Sequence, residues 1–298
     1  MRMCAMSVAA LLLSQGVLAS PIDEVRELDA DGSVSISNVR GLVKVSAGEN
    51  SEVRIQGDLA EEAKLEISGD SRRLEIKVVY PESSGWFGGG MSASADTRLE
   101  IVAPSGAALD VSVVSADVDV EGMRGAQVEL ESVSGGIGAR ALSSRRVKVG
   151  SVSGDIDLQA ISADTRVETV SGELRLGGEL SGDLRIESVS GDVELASTAA
   201  LAELDLEVVS GDVSLSHAVA AGAQIRVESL SGDVHLKWPG NTSANLEIQT
   251  FSGDIESPVG EVEREEFGPG ASLHTRLGEG SARIRIETFS GDAELILE

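Results

Sequence analysis

One acidic position recurs directly after a glycine throughout the second half of the sequence, at intervals of 18 to 21 residues before one gap of 38. Carboxylate oxygens are the ligands that hard divalent cations prefer, so a stacked row of them could bind Ca²⁺. The alternative, which we favour, is a solvated acidic face whose aspartates help to hold a turn. The Ca²⁺-binding repeat Gly-Gly-x-Gly-x-Asp does not occur in the sequence. We call this row the Asp column; it comprises Asp155, Glu173, Asp192, Asp212, Asp233, Asp254 and Asp292.

A second acidic position lies five residues before each member of the Asp column. If the repeats stack like strands, both rows become ladders with a step of about 4.8 Å. Long acidic ladders suit either weak cation binding or a charged, solvated surface. We call the second row the Glu column; it comprises Glu131, Glu168, Glu187, Glu207, Glu228 and Glu287, with Gly150 and Gln249 at the remaining repeats.

Residues typical of catalysis are few. His217, His235 and His274 do not share the spacing of metal ligands. The sequence holds no P-loop, no Gly-x-Ser-x-Gly and no His-Glu-x-x-His motif. Ser-Gly-Asp is frequent, but a motif that recurs in every repeat is a poor candidate for a single active site. The sequence therefore predicts a protein without catalytic residues and without a cofactor, apart from the Ca²⁺ that the Asp column could take.

Aromatic residues are rare, at 2% of the chain, and two of them share one segment. Trp86 and Phe87 lie in the Gly- and Ser-rich stretch 81–96, which predicts an exposed contact tip. The alternative is that these rings fold back over the end or edge of the core. Both interpretations stay open from the sequence.

The elements that position these rows are short strands. In the repeat that spans 184–195, Leu184 and Ile186 alternate with charged residues, as in a half-buried strand. We expect the alternation to slip at Glu187 and Ser188, where the chain turns a corner, so that Val189 points inward. The resulting inward ladder would comprise Val133, Val152, Val170, Val189, Val209, Leu230, Phe251 and Phe289.

Two further aliphatic rows also predict an inward, like-on-like core. The first contains Ile137, Ile156, Leu174, Val193, Val213, Val234, Ile255 and Ala293, and the second contains Leu158, Leu176, Leu195, Leu215 and Leu236. A fixed period of about 20 residues is typical of a solenoid whose repeats stack in parallel, each repeat on the next one along the chain. We expect one all-β domain over 20–298, monomeric, with insertions near 81–96 and 257–280.

The SVSGD and TFSGD units, the segment LEIVAPSGAALDVSVVSADVDV and the ending ARIRIETFSGDAEL resemble a bacterial putative-adhesin domain of unknown function that contains β-strand repeats. The resemblance covers about residues 30–298. It implies an exported protein with a right-handed parallel β-solenoid, or β-helix, fold. It implies no catalytic residues.

Composition and the N-terminus set the expected location. The net charge of −26 argues against nucleic-acid binding, which needs basic surface. Residues 1–19 combine Arg2, a short apolar run and small residues up to Ala19, as in a secretory signal peptide. No segment of the sequence is apolar over the roughly 20 residues that a membrane span needs. The predicted location is the periplasm or the exterior.

The predicted function is adhesin-like binding or surface scaffolding, with an envelope or surface ligand of unknown identity. One alternative is a polysaccharide-acting enzyme on a β-helix, since such folds can carry acidic grooves. The other is an accessory protein of envelope-stress signalling. The scarcity of aromatic rings for stacking on sugars disfavours the enzyme.

Cleavage after Ala19 gives the first testable prediction. Intact mass spectrometry of the exported protein should show a chain that starts near Ser20, because the small residues before that point suit the signal peptidase. Exported protein that still starts at Met1 would contradict the assignment.

Overall fold

The computed structural model describes residues 20–61, 63–81, 96–264 and 268–298. Over these ranges the chain forms β-strands and no helix, and all the strands belong to one hydrogen-bonded system. The strands are β1 Ser20–Glu27, β2 Ser33–Gly48, β3 Glu52–Leu59, β4 Lys64–Gly69, β5 Arg73–Val79, β6 Thr97–Pro104, β7 Ala108–Glu121, β8 Gln127–Ser134, β9 Ile137–Ser153, β10 Ile156–Ser171, β11 Leu174–Ser190, β12 Val193–Ser210, β13 Val213–Ser231, β14 Val234–Trp238, β15 Ala244–Ser252, β16 Ile255–Glu256, β17 Val262–Arg264, β18 Ala271–Leu277, β19 Ala282–Ser290 and β20 Ala293–Leu297.

The centre of the molecule is a parallel stack of the long strands β9 to β13. Each strand pairs with the next one along the chain, with Ile156 opposite Leu174, Leu174 opposite Val193, and Val193 opposite Val213. Residues of the same type therefore lie above one another, as the repeat predicts. Each strand contains a register shift near its middle, where the chain bends from one face of the stack to the other.

The stack does not follow chain order at its C-terminal end. Val234 pairs with Ala293, and Ala293 pairs with Ile255, so the last repeat lies between the two that precede it. The expectation that repeats stack in chain order is wrong here. Strand β15 is covered on its other side by the antiparallel strand β18, which pairs in turn with β17. The insertion near 257–280 thus supplies a hairpin that covers a strand edge otherwise open to aggregation.

The N-terminal end also departs from parallel stacking. Strands β1, β3 and β6 pair antiparallel, and so do β4 and β5, whereas β2 pairs in parallel with β5, β6 and β7. The parallel arrangement predicted for the whole domain is therefore confirmed only for its centre. Antiparallel hairpins at both ends close the stack, which a purely parallel repeat cannot do by itself.

Aliphatic side chains from both faces of the stack fill the core. Val193 and Leu195 are buried from one face, and Leu204 and Leu206 from the other. Both of the aliphatic rows that contain Ile156 and Leu158 are buried, as predicted. Because each side chain rests on a similar one from the neighbouring strand, the narrow core packs with almost no aromatic residues.

The row of Val189 is the main correction to the sequence analysis. Val189 is 48% exposed, whereas Ser188 before it is buried. The alternation continues unbroken through Ser188, and the slip occurs over the four residues that lead to Val193. The cause is the Ser-Gly corner, where the backbones approach so closely that a Cβ at Gly191 would lie 2.1 Å from the carbonyl oxygen of Gly172. Every residue predicted to lie inward with Val189 is exposed: Val133, Val152, Val170, Val209, Leu230, Phe251 and Phe289.

The segment near 81–96 leaves and rejoins the fold at one polar cluster. The hydroxyl oxygen of Tyr80 lies 2.8 Å from Thr97 Oγ1 and 3.0 Å from Asn38 Oδ1. Thr97 Oγ1 also accepts a hydrogen bond from the backbone N–H of Ala60 at 3.1 Å. These contacts fix both ends of the segment against β2. Trp86 and Phe87, the predicted contact tip, lie outside the described residues.

Two neighbouring valines test the inward and outward assignment. Val193→Asp should lower the free energy of unfolding by more than about 4 kcal/mol, because a carboxylate in the aliphatic row has no partner. Val189→Asp should change it by less than about 1 kcal/mol, because the new side chain reaches solvent. Urea unfolding of both variants measures the difference, and a similar loss in both would contradict the corrected phase.

Candidate binding groove

Nine exposed apolar residues form one continuous row along the stack, which we call the Val column. Eight of them come from successive Ser-Gly corners and Val114 comes from the Ser-Ala corner before these, and all nine are 46 to 59% exposed. In stacking order they are Val114, Val133, Val152, Val170, Val189, Val209, Leu230, Phe289 and Phe251. Single exposed apolar residues are ordinary, but an unbroken row of nine is the kind of surface that marks an interaction site.

Two phenylalanines end the Val column at the C-terminal side. The rings of Phe251 and Phe289 are stacked, with centroids 4.6 Å apart and planes 8° from parallel. They adjoin because their strands β15 and β19 pair in parallel. Half-exposed, stacked rings of this kind present a flat apolar surface, on which a partner's side chain can pack.

The Val column forms one wall of a groove of about 1450 Å³ that runs along the stack. The Glu column forms the other wall, because each glutamate precedes its Val-column residue by two positions and so points to the same side of the strand. Arg264 and His274 of the terminal hairpin line one end. The groove thus combines an apolar wall, an acidic wall and a partly closed end.

Buried hydroxyl groups form the floor between the two walls. At the ends of the row, Ser132 donates to the carbonyl of Gly135 at 3.2 Å and Thr250 to that of Gly253 at 2.8 Å. The hydroxyls between them have no hydrogen-bond partner among the described residues: Ser151, Thr169, Ser188, Ser229 and Thr288. These hydroxyl oxygens are buried, as the alternation through Ser188 requires, so the accessible surface of the groove comes from its two walls.

A row of basic residues partly neutralises the Glu column from outside. Lys148 Nζ lies 2.6 Å from Glu129 and 3.0 Å from Glu131, and these two carboxylates raise the pKa of Lys148. Arg185 lies 2.7 Å from Glu187 and 3.2 Å from Asp205. These pairs are exposed, so each one contributes little stability, about 1 kcal/mol or less. Their side chains hold the glutamates in position along the wall.

The Asp column directly follows the glycines of the Ser-Gly corners and bonds to the backbone. Asp192 Oδ1 accepts a hydrogen bond from the N–H of Asp212 at 2.9 Å, and Asp212 Oδ1 accepts one from Asp233 at 2.9 Å. The same bond recurs at 2.8 Å from Asp292 to Asp233 and from Asp254 to Asp292. Asp192, Asp212, Asp233 and Asp292 thus each satisfy a backbone donor that the corner leaves free, whereas Asp254 pairs with Arg264. Over the described ranges, no group of three or more acidic, histidine or cysteine side chains has metal-binding geometry.

The three histidines lie in three different surroundings. His217 is buried beside Trp238, with ring centroids 6.3 Å apart, and burial lowers its pKa despite a hydrogen bond to the carbonyl of Ala218. His235 is exposed and lies 3.0 Å from Glu294. His274 lines the end of the groove. The structure does not bring them together.

The fold and groove define the class of protein as an all-β, solenoid-like repeat domain with an exposed apolar and acidic surface. No helix of the described ranges could cross a membrane. The sequence profile of Toastrack DUF4097 matches residues 33–295, and the chain belongs to this family.

Solved structures of low sequence identity align with this chain over most of its length. One is a putative adhesin from Bacteroides fragilis, 11% identical, with a TM-score of 0.41 over 94% of this chain and 97% of that one. Another is a putative adhesin from Parabacteroides distasonis, 9% identical, with a TM-score of 0.44 over 93% of this chain and 98% of that one. The search of curated proteins gave no significant match.

The backbone role of the Asp column predicts the behaviour of two variants. Asp212→Ala should lower the free energy of unfolding by about 1 kcal/mol, because the N–H of Asp233 loses its acceptor. Asp212→Asn keeps an acceptor oxygen and removes a charge between two like charges, so it should be at least as stable as the wild type. Urea unfolding at pH 7 measures both.

Addition of Ca²⁺ tests whether the Asp column also binds a cation. Ca²⁺ at millimolar concentration should stabilise the wild type no more than NaCl of equal ionic strength. Stabilisation specific to Ca²⁺ that Asp212→Asn abolishes would instead show that the column binds the cation.

Proposed function

We propose that the protein is an exported, monomeric, non-enzymatic binding or scaffolding protein of the bacterial envelope. In this proposal it acts as an adhesin-like β-solenoid, right-handed and with about 20 residues per rung. The pairing of Val193 with Val213 and of Val213 with Val234, 20 and 21 residues apart, supports that rung length. Strand β1 begins at Ser20, directly after the predicted cleavage point, so the described ranges all belong to the predicted mature chain.

The Val column is the observation that carries the proposal. Folding leaves these nine residues half exposed, although the same strands bury nearly every other aliphatic side chain. Burying apolar area on binding contributes about 25 cal/mol per Å², so a row of this length can supply much of a binding energy. An elongated partner that lies along the stack would cover all of it at once.

The experiment compares groove and control variants of the mature chain. Immobilised envelope fractions of the producing bacterium should retain the wild type and should lose a Val170→Ser, Val189→Ser, Val209→Ser triple variant. The control replaces three exposed glutamates outside the groove, Glu179→Gln, Glu194→Gln and Glu203→Gln, and should be retained like the wild type. Equal retention of all three proteins would contradict a binding role for the groove.

The retention experiment also distinguishes the proposed function from its two alternatives. We infer no enzymatic activity and no cofactor, because the acidic rows recur in most repeats and the Asp column bonds the backbone. The polysaccharide-acting alternative predicts that the wild type shortens envelope polysaccharides during the incubation, which size-exclusion chromatography would detect. The envelope-stress alternative predicts retention that depends on one membrane protein of the fraction.

A further inference from the structure

We propose that the groove binds a cationic amphipathic α-helix of a partner protein. This inference rests on the proposed binding function and specifies the chemistry of the ligand. The apolar face of the helix would lie on the Val column, and its Lys or Arg residues would face the carboxylates of the Glu column. The carrying observation is that an exposed apolar row and an acidic row form the two walls of one groove.

The negative charge of the groove favours a positively charged partner. The Glu column contributes six carboxylates to one wall of the groove, whereas the lysine and arginine side chains that line the groove are Lys148 and Arg264. Each of the six glutamates also pairs with a basic residue of the chain, five basic residues in all, and the chain as a whole carries a net charge of −26. A second copy of this chain would place one acidic wall against another. Cationic side chains of a partner would meet carboxylates along most of the groove.

The length of the Val column and the spacing of its residues favour a helical ligand over an extended one. The eight Val-column residues that line the groove, at about 4.8 Å per step, span roughly 34 Å, the length of a helix of about 22 residues. The helix pitch of about 5.4 Å is close to the step of the stack, so successive turns meet successive rungs over several turns. In an extended chain, side chains on one face lie about 6.7 Å apart. They therefore no longer align with the rungs of the stack after one or two residues of that face.

The end of the groove supplies an anchor and a direction. The stacked Phe251 and Phe289 are the largest apolar surface in the row, and Arg264 from the terminal hairpin pairs with Asp254 beside them. A large apolar side chain of the helix would pack on these rings, as aromatic hot spots do at many interfaces. The basic residues of the helix would lie farther along, beside Glu187 and Glu207.

The experiment uses synthetic peptides as probes. A fluorescent 22-residue peptide of Leu and Lys with helical periodicity should bind the mature wild-type chain with a dissociation constant of about 1–10 µM in 50 mM salt. Two matched peptides carry Glu in place of Lys, or the same composition with Leu and Lys strictly alternating. Both should bind at least about tenfold more weakly.

Protein variants locate the binding. The Val170→Ser, Val189→Ser, Val209→Ser variant should weaken the helical peptide about tenfold or more. The triple variant Glu168→Gln, Glu187→Gln, Glu207→Gln should weaken binding of the helical peptide roughly threefold to tenfold at 50 mM salt. This difference from the wild type should disappear at 0.5 M salt. The charge-matched control Glu179→Gln, Glu194→Gln, Glu203→Gln should stay within about twofold of the wild type. Unchanged melting curves establish that each variant folds.

Several outcomes would overturn the inference. Absence of binding up to about 100 µM, equal binding of the Glu peptide, or tighter binding of the alternating peptide would each reject a cationic helix. If envelope retention still depended on the Val column, the proposed function would stand and only the ligand chemistry would fall. If neither peptide binding nor retention depended on the column, both proposals would fall.

Discussion

The close approach of glycine backbones at the Ser-Gly corners is the constraint on which the rest of the structure depends. A Cβ at Gly191 would lie 2.1 Å from the carbonyl oxygen of Gly172, and one at Gly211 would lie 2.2 Å from that of Gly191. Only a residue without a side chain allows successive corners to stack at the spacing of paired strands. The glycines thus set the step between repeats and bring like residues above one another.

The same corner creates the binding surface. Between the buried residues Ser188 and Val193 the chain advances five positions, an odd number, so the inward and outward parities exchange. Val189 is left on the outer side of the corner, beside Glu187, and Asp192 turns its carboxylate to the neighbouring backbone N–H. The apolar row, the acidic wall that faces it and the backbone-bonded Asp column are therefore consequences of one repeated local geometry.

The sequence predicts much of this fold, because the period of a regular repeat can be measured directly from the spacing of its residues. The class, the two aliphatic core rows and the acidic columns follow from alternation and spacing. The exposure of Val189 could not be obtained in this way, since alternation shows that the phase slips but a corner can place the slip on either side of Ser188. The insertion of β19 between β13 and β15 was also hidden, because every repeat carries equivalent pairing residues and chain order is then the natural expectation.

The most direct test of this account compares alanine at two glycines that share a positive φ. Gly191 has φ +126° and a crowded backbone, whereas Gly222 has φ +80° and open space around it. Urea unfolding should show a loss of at least about 3 kcal/mol for Gly191→Ala and only about 1 kcal/mol for Gly222→Ala, the cost of the backbone conformation alone. Equal losses in the two variants would contradict the claim that close backbone stacking holds the corners together.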